Sequence, residues 1–176
     1  LDHPDIHFFK NSGEFHVTDD LCFNILSVFD EDNWQDPTSY DNINIALYHG
    51  SISNCQTDSG WVMESGENEI EIFEEFDYAF LGDIHKAQKL DKAGRVRYPG
   101  STVQQNFGEE NDKGILIWDI QDRDSFAVKQ IVFSNPKPFM TVELENGKLP
   151  DIEVPTGARL RLASTENITL ENMKRA

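Results

Sequence analysis

Basic residues are almost missing from the first half of this chain. Of its 15 lysines and arginines, all but Lys10 lie at or beyond Lys86, against 32 acidic residues and a net charge of −17. A passive nucleic-acid-binding module carries a basic footprint, so this balance argues against one. It leaves open an enzyme acting on nucleic acid, because bound cations reverse the local field and a partner subunit can supply phosphate contacts. Cysteine is scarce. Cys22 and Cys55 are far apart and match no metal spacing, which reads as two reduced thiols in a cytosolic protein. No apolar run approaches the roughly 20 residues that span a bilayer, and no basic-then-apolar leader opens the chain. No membrane partner is expected, and a cytoplasmic or nucleoid-associated location is. The chain begins at Leu1 rather than methionine, so its start is expected upstream.

What is present suffices for a core. The 176 residues are 38% hydrophobic and 11% aromatic. That bounds the chain to one compact domain, or to one domain and the start of another, and excludes wholesale disorder.

Ile6 to Phe9 and Glu14 to Val17 read as a strand pair around Asn11-Ser12-Gly13. Leu21 to Val28 reads as a third strand. Residues 29–37 form an acidic, solvated loop with one aromatic anchor, Trp34. Ile43 to Tyr48 is nearly all apolar, as in a strand buried on both faces. Residues 50–69 are rich in Ser, Asn, Gly and Asp and read as a long loop. Ile70 to Phe76 fits both strand alternation and a helical face. Tyr78 to Leu81 is a short buried strand. Hairpins are expected around Asp91-Lys92-Ala93-Gly94 and across Gln121 to Ser125.

Asn135-Pro136-Lys137-Pro138 is the clearest break, since two prolines end sheet pairing. Residues 1–134 therefore read as most of one domain and 139–176 as the beginning of another. The second has strands at Phe139 to Leu144 and Arg159 to Ala163, and Thr169 to Ala176 opens a helix capped by Thr169 or Asn167.

Two apolar runs end in exposed potential ligands. Ile43 to Tyr48 leads into His49-Gly50, and Phe80-Leu81 leads into Gly82-Asp83-Ile84-His85. Imidazole suits transition metals and carboxylate oxygen suits Mn²⁺ and Mg²⁺. His49, Asp83 and His85 are therefore the candidate metal ligands at one sheet edge. His3, His7 and His16 lack such context and read as structural or surface residues. Lys86 opens a basic hairpin with Lys89, Lys92, Arg95 and Arg97 that could meet phosphates or simply be a solvated surface. Gln104, Gln105 and Asn106 form a polar cluster beside a glycine turn, suited to fixing a loop or holding substrate.

Residues 43–120 also resemble a known family, the SbcD-like exonuclease subunits of the calcineurin-like metallophosphoesterases. The resemblance is carried by Leu47-Tyr48-His49-Gly50, by Phe76 to Gln88, by Tyr98-Pro99-Gly100-Ser101, by Gln104 to Glu109, and by Lys113 to Ile120, in that order. It implies an α/β fold, a partial calcineurin-like β-sandwich followed by the start of an α+β capping domain that contacts DNA. It implies a metal-dependent DNA exo/endonuclease of break repair or recombination, with two divalent cations, Mn²⁺ foremost and Mg²⁺ as the alternative. The implied partners are DNA, an SMC-type ATPase and a second copy of the full-length protein.

Under this resemblance His49 and Asp83 hold one ion and His85 the other. Asp83 stands where the family usually has a histidine. Lys86, Gln104, Gln105 and Asn106 fall to substrate binding. The family takes its further ligands and its catalytic histidine from aspartate-X-histidine, glycine-aspartate and glycine-asparagine-histidine motifs in its N-terminal half, which the resemblance places upstream of Leu1 to Phe9. No catalytic residue is therefore assigned within this chain, and the chain is expected to be an internal fragment. Two other readings stay open: a two-metal phosphoesterase for small phosphoesters, and a non-catalytic phosphoesterase-like scaffold.

Overall fold

The computed structural model describes residues 6–165. They contain ten strands: β1 Gly13–Thr18, β2 Leu21–Leu26, β3 Ile43–His49, β4 Tyr78–Gly82, β5 Gln88–Lys89, β6 Val96–Tyr98, β7 Gly114–Ile120, β8 Phe126–Val132, β9 Phe139–Glu143 and β10 Arg159–Ala163. The chain divides into two compact units, with the boundaries at Ser101/Thr102, Lys113/Gly114 and Ile131/Val132. The second unit thus takes in the 102–113 loop as well as the chain after Ile131.

The first unit is built on a six-stranded sheet of order β1-β2-β3-β4-β6-β5. β2, β3, β4 and β6 run parallel, and β1 and β5 close the edges antiparallel. Successive side chains on a strand alternate faces. One face gathers Leu26, Ala46, Tyr48, Ala79, Leu81, Val96 and Tyr98 into the main core, joined by Ile52, Cys55, Phe73 and Ile84 from the connections. On the other face the β7–β8 ribbon sets Trp118 against Phe80, ring centroids 4.6 Å apart, and Phe126 against Tyr78 at 5.2 Å. The Tyr78 hydroxyl donates to the Asp122 carbonyl at 2.7 Å and so holds the ribbon's turn.

The α/β expectation fails. Among the described residues there is no α-helix, only two short 3-10 helices at Glu31–Asn33 and Ile70–Phe73. The structure is a β fold, not the calcineurin-like α/β fold. The described part of the second unit likewise contains strands and turns, not an α+β capping domain. The expected helix at Thr169 to Ala176 lies outside the described residues.

The physical reason lies in the parallel connections. A parallel pair needs a long crossover, usually a helix, yet the β3–β4 crossover is rich in Ser, Asn, Gly and Asp. Those residues favour turns over helix interiors. Asn54 and Gly60 adopt φ of 67° and 85°, which no right-handed helix accommodates. Side chains take over the work of helical hydrogen bonds. Ser51 Oγ accepts the Glu67 N–H at 3.1 Å, and Ser53 Oγ accepts the Gly66 N–H at 3.0 Å while donating to Glu69 Oε1 at 2.7 Å. The segment read as a long loop is therefore a tied layer that buries Ile52 and Cys55, and the 3-10 turn after it buries Phe73.

The first hairpin is also displaced from its expected place. β1 pairs with β2 around Asp19-Asp20, and Ile6 to Phe9 forms no strand.

In the second unit β9 and β10 pair in parallel, Phe139 opposite Arg159 through Glu143 opposite Ala163. The Arg159 guanidinium lies 4.8 Å over the Phe139 ring, and Arg161 lies 5.2 Å over Phe107. No helix among the described residues is long and apolar enough to cross a membrane.

Candidate functional site

β3 and β4 are parallel neighbours, and their last residues, His49 and Gly82, are register partners. Ligand sites in parallel sheets favour the carboxyl ends of the strands. A Cβ at Gly82 would stand 2.5 Å from His49 Nδ1, so a side chain there would displace the imidazole. The missing side chain lets the imidazole lie across the neighbouring strand end. The next residue, Asp83, turns with φ of 90°, in a region that suits glycine. Its Oδ1 reaches to 4.0 Å from His49 Nε2.

Backbone strain of this kind costs on the order of 1–3 kcal/mol. The His49 and Asp83 side chains are 76% and 49% exposed, and an exposed ion pair returns about 0–1 kcal/mol. The pairing therefore does not offset the turn that creates it. A strained residue presenting a carboxylate to an imidazole is the kind of outlier that marks a functional site.

Behind His49 the chain is held by the core. Tyr98, fully buried, donates its hydroxyl to the Gly50 carbonyl at 2.6 Å and accepts the Ile52 N–H at 3.0 Å. Burial pushes the phenol above the ordinary tyrosine range, so it keeps the proton it donates. Glu67 Oε2 accepts the Ser51 N–H at 3.0 Å. Asp83 and His85 flank the buried Ile84. Beyond them, the His85 carbonyl accepts the Ser101 N–H at 3.1 Å, and a Cβ on Gly100 would lie 2.8 Å from that carbonyl. Tyr98-Pro99-Gly100-Ser101 thus braces both arms of the site, one through a phenol and one through a side-chain-free approach.

The structure brings His49 and Asp83 together. His85, half-buried, sits two residues further along the same turn, and the three donors do not gather about one point. Among the described residues, the three-donor group whose ligand atoms all lie within 4.8 Å of one another is a different one, Glu14, His16 and Cys22. The sequence reading missed it. Its signal was a carboxylate and an imidazole two apart on a strand, but the cysteine joins them only once the hairpin register is known.

Beside His49 lies an open groove of about 440 Å³, walled by His7, Phe9, Ile25, Leu47, Phe80 and Gly82. It borders the candidate ligands with a mainly apolar surface.

The remaining candidates have internal partners. Lys86 Nζ donates to Gln56 Oε1 at 2.5 Å, and Gln88 clasps the Gln56 backbone at 2.9 and 2.7 Å. In the basic hairpin, Arg95 pairs with Asp124 at 2.8 Å, and Arg97 donates to the Gly94 carbonyl while lying over Trp118. Lys89 and Lys92 are exposed. Gln104 belongs to the second unit. Its Nε2 donates to the Glu109 and Phe139 carbonyls at 2.8 and 3.1 Å, and its Oε1 accepts the Phe139 N–H at 2.9 Å. The Gln105 N–H and the Asn106 amide donate to the Glu109 carboxylate, each at 2.9 Å. Both cysteines are free and buried.

No protein-family model matches the chain. It is 30% identical over 183 residues to the protein named "Uncharacterized protein R555" of Acanthamoeba polyphaga mimivirus, a match covering 97% of this chain and 13% of that protein. It is 29% identical over 96 residues to the protein named "Putative phosphoesterase 244L" of Invertebrate iridescent virus 6, covering 52% of this chain and 28% of that protein. The chain therefore spans only a minor part of the length of these curated viral relatives, and one of the two carries a phosphoesterase name.

Proposed function

We infer that this chain forms part of a metal-dependent phosphoesterase whose substrate is the phosphodiester backbone of DNA. The observation that carries the reading is the pairing of His49 with Asp83 at the carboxyl ends of two adjacent parallel strands, on a strained turn. The donors fit a divalent cation, since one imidazole and one carboxylate suit Mn²⁺ better than a thiolate-seeking ion. His49 Nε2 and Asp83 Oδ1 are the atoms to hold it, with His85 as donor toward a second ion. Such cations, when bound, polarise a phosphoryl oxygen and lower the pKa of bound water.

The chain's own residues supply position. Tyr98 fixes the backbone after His49, Gly82 gives the imidazole its resting place, and Gly100 and Ser101 fix the backbone of His85. The apolar groove borders the ligands on one side. The relative bearing a phosphoesterase name supports the reaction class. DNA as substrate, the SMC-type ATPase partner and the self-association of the whole protein rest on the resemblance in residues 43–120.

A small phosphoester is the second reading. It is favoured by the internal engagement of Lys86, Arg95 and Arg97, which leaves Lys89 and Lys92 as the exposed cations of the basic hairpin.

The whole protein, of which this chain is a part, should be assayed with Mn²⁺ on end-labelled duplex DNA and on an aryl phosphodiester. His49→Ala and Asp83→Ala should each remove hydrolysis. Full activity in His49→Ala would refute the reading, and hydrolysis of the aryl ester alone would select the second one.

A further inference from the structure

A second set of donors lies on the edge hairpin of the same sheet. β1 and β2 pair antiparallel with Glu14 opposite Asn24 and His16 opposite Cys22. Residues two apart on a strand share a face, and directly opposed residues have their Cβ atoms about 4.5–5.5 Å apart. The four side chains therefore make a two-by-two patch. Within it a Glu14 oxygen, a His16 ring nitrogen and the Cys22 sulfur all lie within 4.8 Å of one another. Glu14 Oε2 and His16 Nε2 are 3.8 Å apart.

The fourth member supplies an independent observation. Asn24 is only 3% exposed, and its Oδ1 has no hydrogen-bond partner. It shares with Glu14 the lining of a cavity of about 20 Å³. Buried polar atoms almost always have partners, and an orphan in a native fold points to an unseen water or ion.

We propose that Glu14, His16 and Cys22 bind a Zn²⁺ ion at this edge, with Asn24 Oδ1 supplying an oxygen to the fourth position directly or through water. Sulfur with imidazole and carboxylate is a donor set for zinc rather than for Mn²⁺ or Mg²⁺. Zinc bond lengths place tetrahedral donors about 3.5 Å apart, so small side-chain rotations close the observed group.

The carboxylate is already oriented, because it accepts the Thr38 N–H at 2.6 Å and the Thr38 hydroxyl at 2.7 Å. Outer-shell bonds of this kind fix metal ligands in place. The thiol is buried and donates weakly to the Phe23 carbonyl at 3.6 Å. Binding replaces that S–H bond with a zinc–thiolate bond, and the proton leaves to solvent. His16, 57% exposed, stands on the side from which an ion enters. The ion would staple the edge strand β1 to β2 and, through Thr38, to the β2–β3 connection.

The test uses the reduced, metal-stripped 176-residue chain. Calorimetric titration with Zn²⁺ should give one ion per chain, and Co²⁺ should give a near-ultraviolet thiolate charge-transfer band. His16→Ala changes an exposed residue and leaves the core untouched. It should weaken Zn²⁺ by ~100-fold or more, beyond what outer-shell changes typically do, and abolish the band. Cys55→Ser should keep the band, and Cys22→Ser should lose it. Equal Zn²⁺ affinity in wild type and His16→Ala would overturn the proposal. So would a Co²⁺ band that survives His16→Ala, or Zn²⁺ binding lost in His49→Ala and retained in His16→Ala.

Discussion

The two donor clusters of the first unit share a sheet but are built by opposite means. At the ends of β3 and β4, His49 and Asp83 are exposed, and their positions are set from behind by a buried phenol, a strained turn and two glycines. On the β1–β2 hairpin, Glu14, His16 and Cys22 are placed by strand register, with Thr38 orienting the carboxylate and no strained residue among them. The first cluster depends on its supporting shell and the second on pairing of the edge strand. The strand-end pair should therefore be the more sensitive to changes that touch no ligand, whereas the hairpin cluster should fail with a ligand, with the edge strand or, more weakly, with Thr38.

The largest break in that comparison should come from Gly82→Ala. The added methyl group meets the His49 imidazole, so the whole protein should lose Mn²⁺-dependent hydrolysis about as fully as with His49→Ala. Zn²⁺ titration at the hairpin should be unchanged. Retained hydrolysis would show that the imidazole does not need its place over Gly82.

Tyr98→Phe comes next. It leaves the Gly50 carbonyl and the Ile52 N–H buried without their shared partner, at a cost of about 1–3 kcal/mol. Urea unfolding of the chain should report that loss, and an unchanged midpoint would mean that water or a neighbouring group replaces the phenol.

Asp83→Gly should move stability the other way, by roughly 1 kcal/mol, because relief of φ strain exceeds the added unfolded-state entropy of glycine. Hydrolysis by the whole protein should fall in the same variant. A loss of stability on this substitution would show that Asp83 is not strained.

The smallest effect concerns Glu14. Its hydrogen bonds from Thr38 hold its pKa below the ordinary glutamate value of 4.5. A depressed acid contributes stability above its unfolded pKa and loses it as pH falls through the folded one. Thr38→Ala should therefore lower stability slightly at pH 7 and flatten its fall below pH 4.5. Parallel acid unfolding of wild type and variant would check this, and identical stability profiles below pH 4.5 would rule it out.

Much of the strand layout was legible. Ile43 to Tyr48 and Tyr78 to Leu81 are apolar runs bounded by polar or glycine residues, and both became central parallel strands, each extended by one residue. His49 and Asp83 could be found because each follows such a run. The absence of α-helices among the described residues was not legible through the resemblance. It follows from crossovers whose serines, asparagines and glycines bind one another instead of continuing a helical turn. The first hairpin was misplaced because Asn11-Ser12-Gly13 looks like a turn. Asp19-Asp20 supplies the actual one, and Thr18 Oγ1 bonds Asp20 Oδ1 across it at 2.7 Å. The Glu14 cluster was invisible for the same reason, since its third member depends on that register. The bonds of Lys86 to Gln56 and of Gln104 to Phe139 span 30 and 35 positions, which local pattern cannot supply.

The layer between β3 and β4 has one more consequence. It is stitched to itself by serine hydroxyls and glutamate carboxylates, and to the sheet through Tyr98, the Gln56–Gln88 clasp and its buried side chains, so it opens as a unit only when those ties release together. Such sub-global openings set the exchange of amide hydrogens with solvent. The Ile52 and Ser53 amides, bonded to Tyr98 and to the Asn68 carbonyl, should then exchange together and well before the amides of β3. His49 is the last residue before that layer, so the lifetime of its anchorage becomes the lifetime of a loop, readable by isotope labelling on a timescale unrelated to unfolding of the sheet.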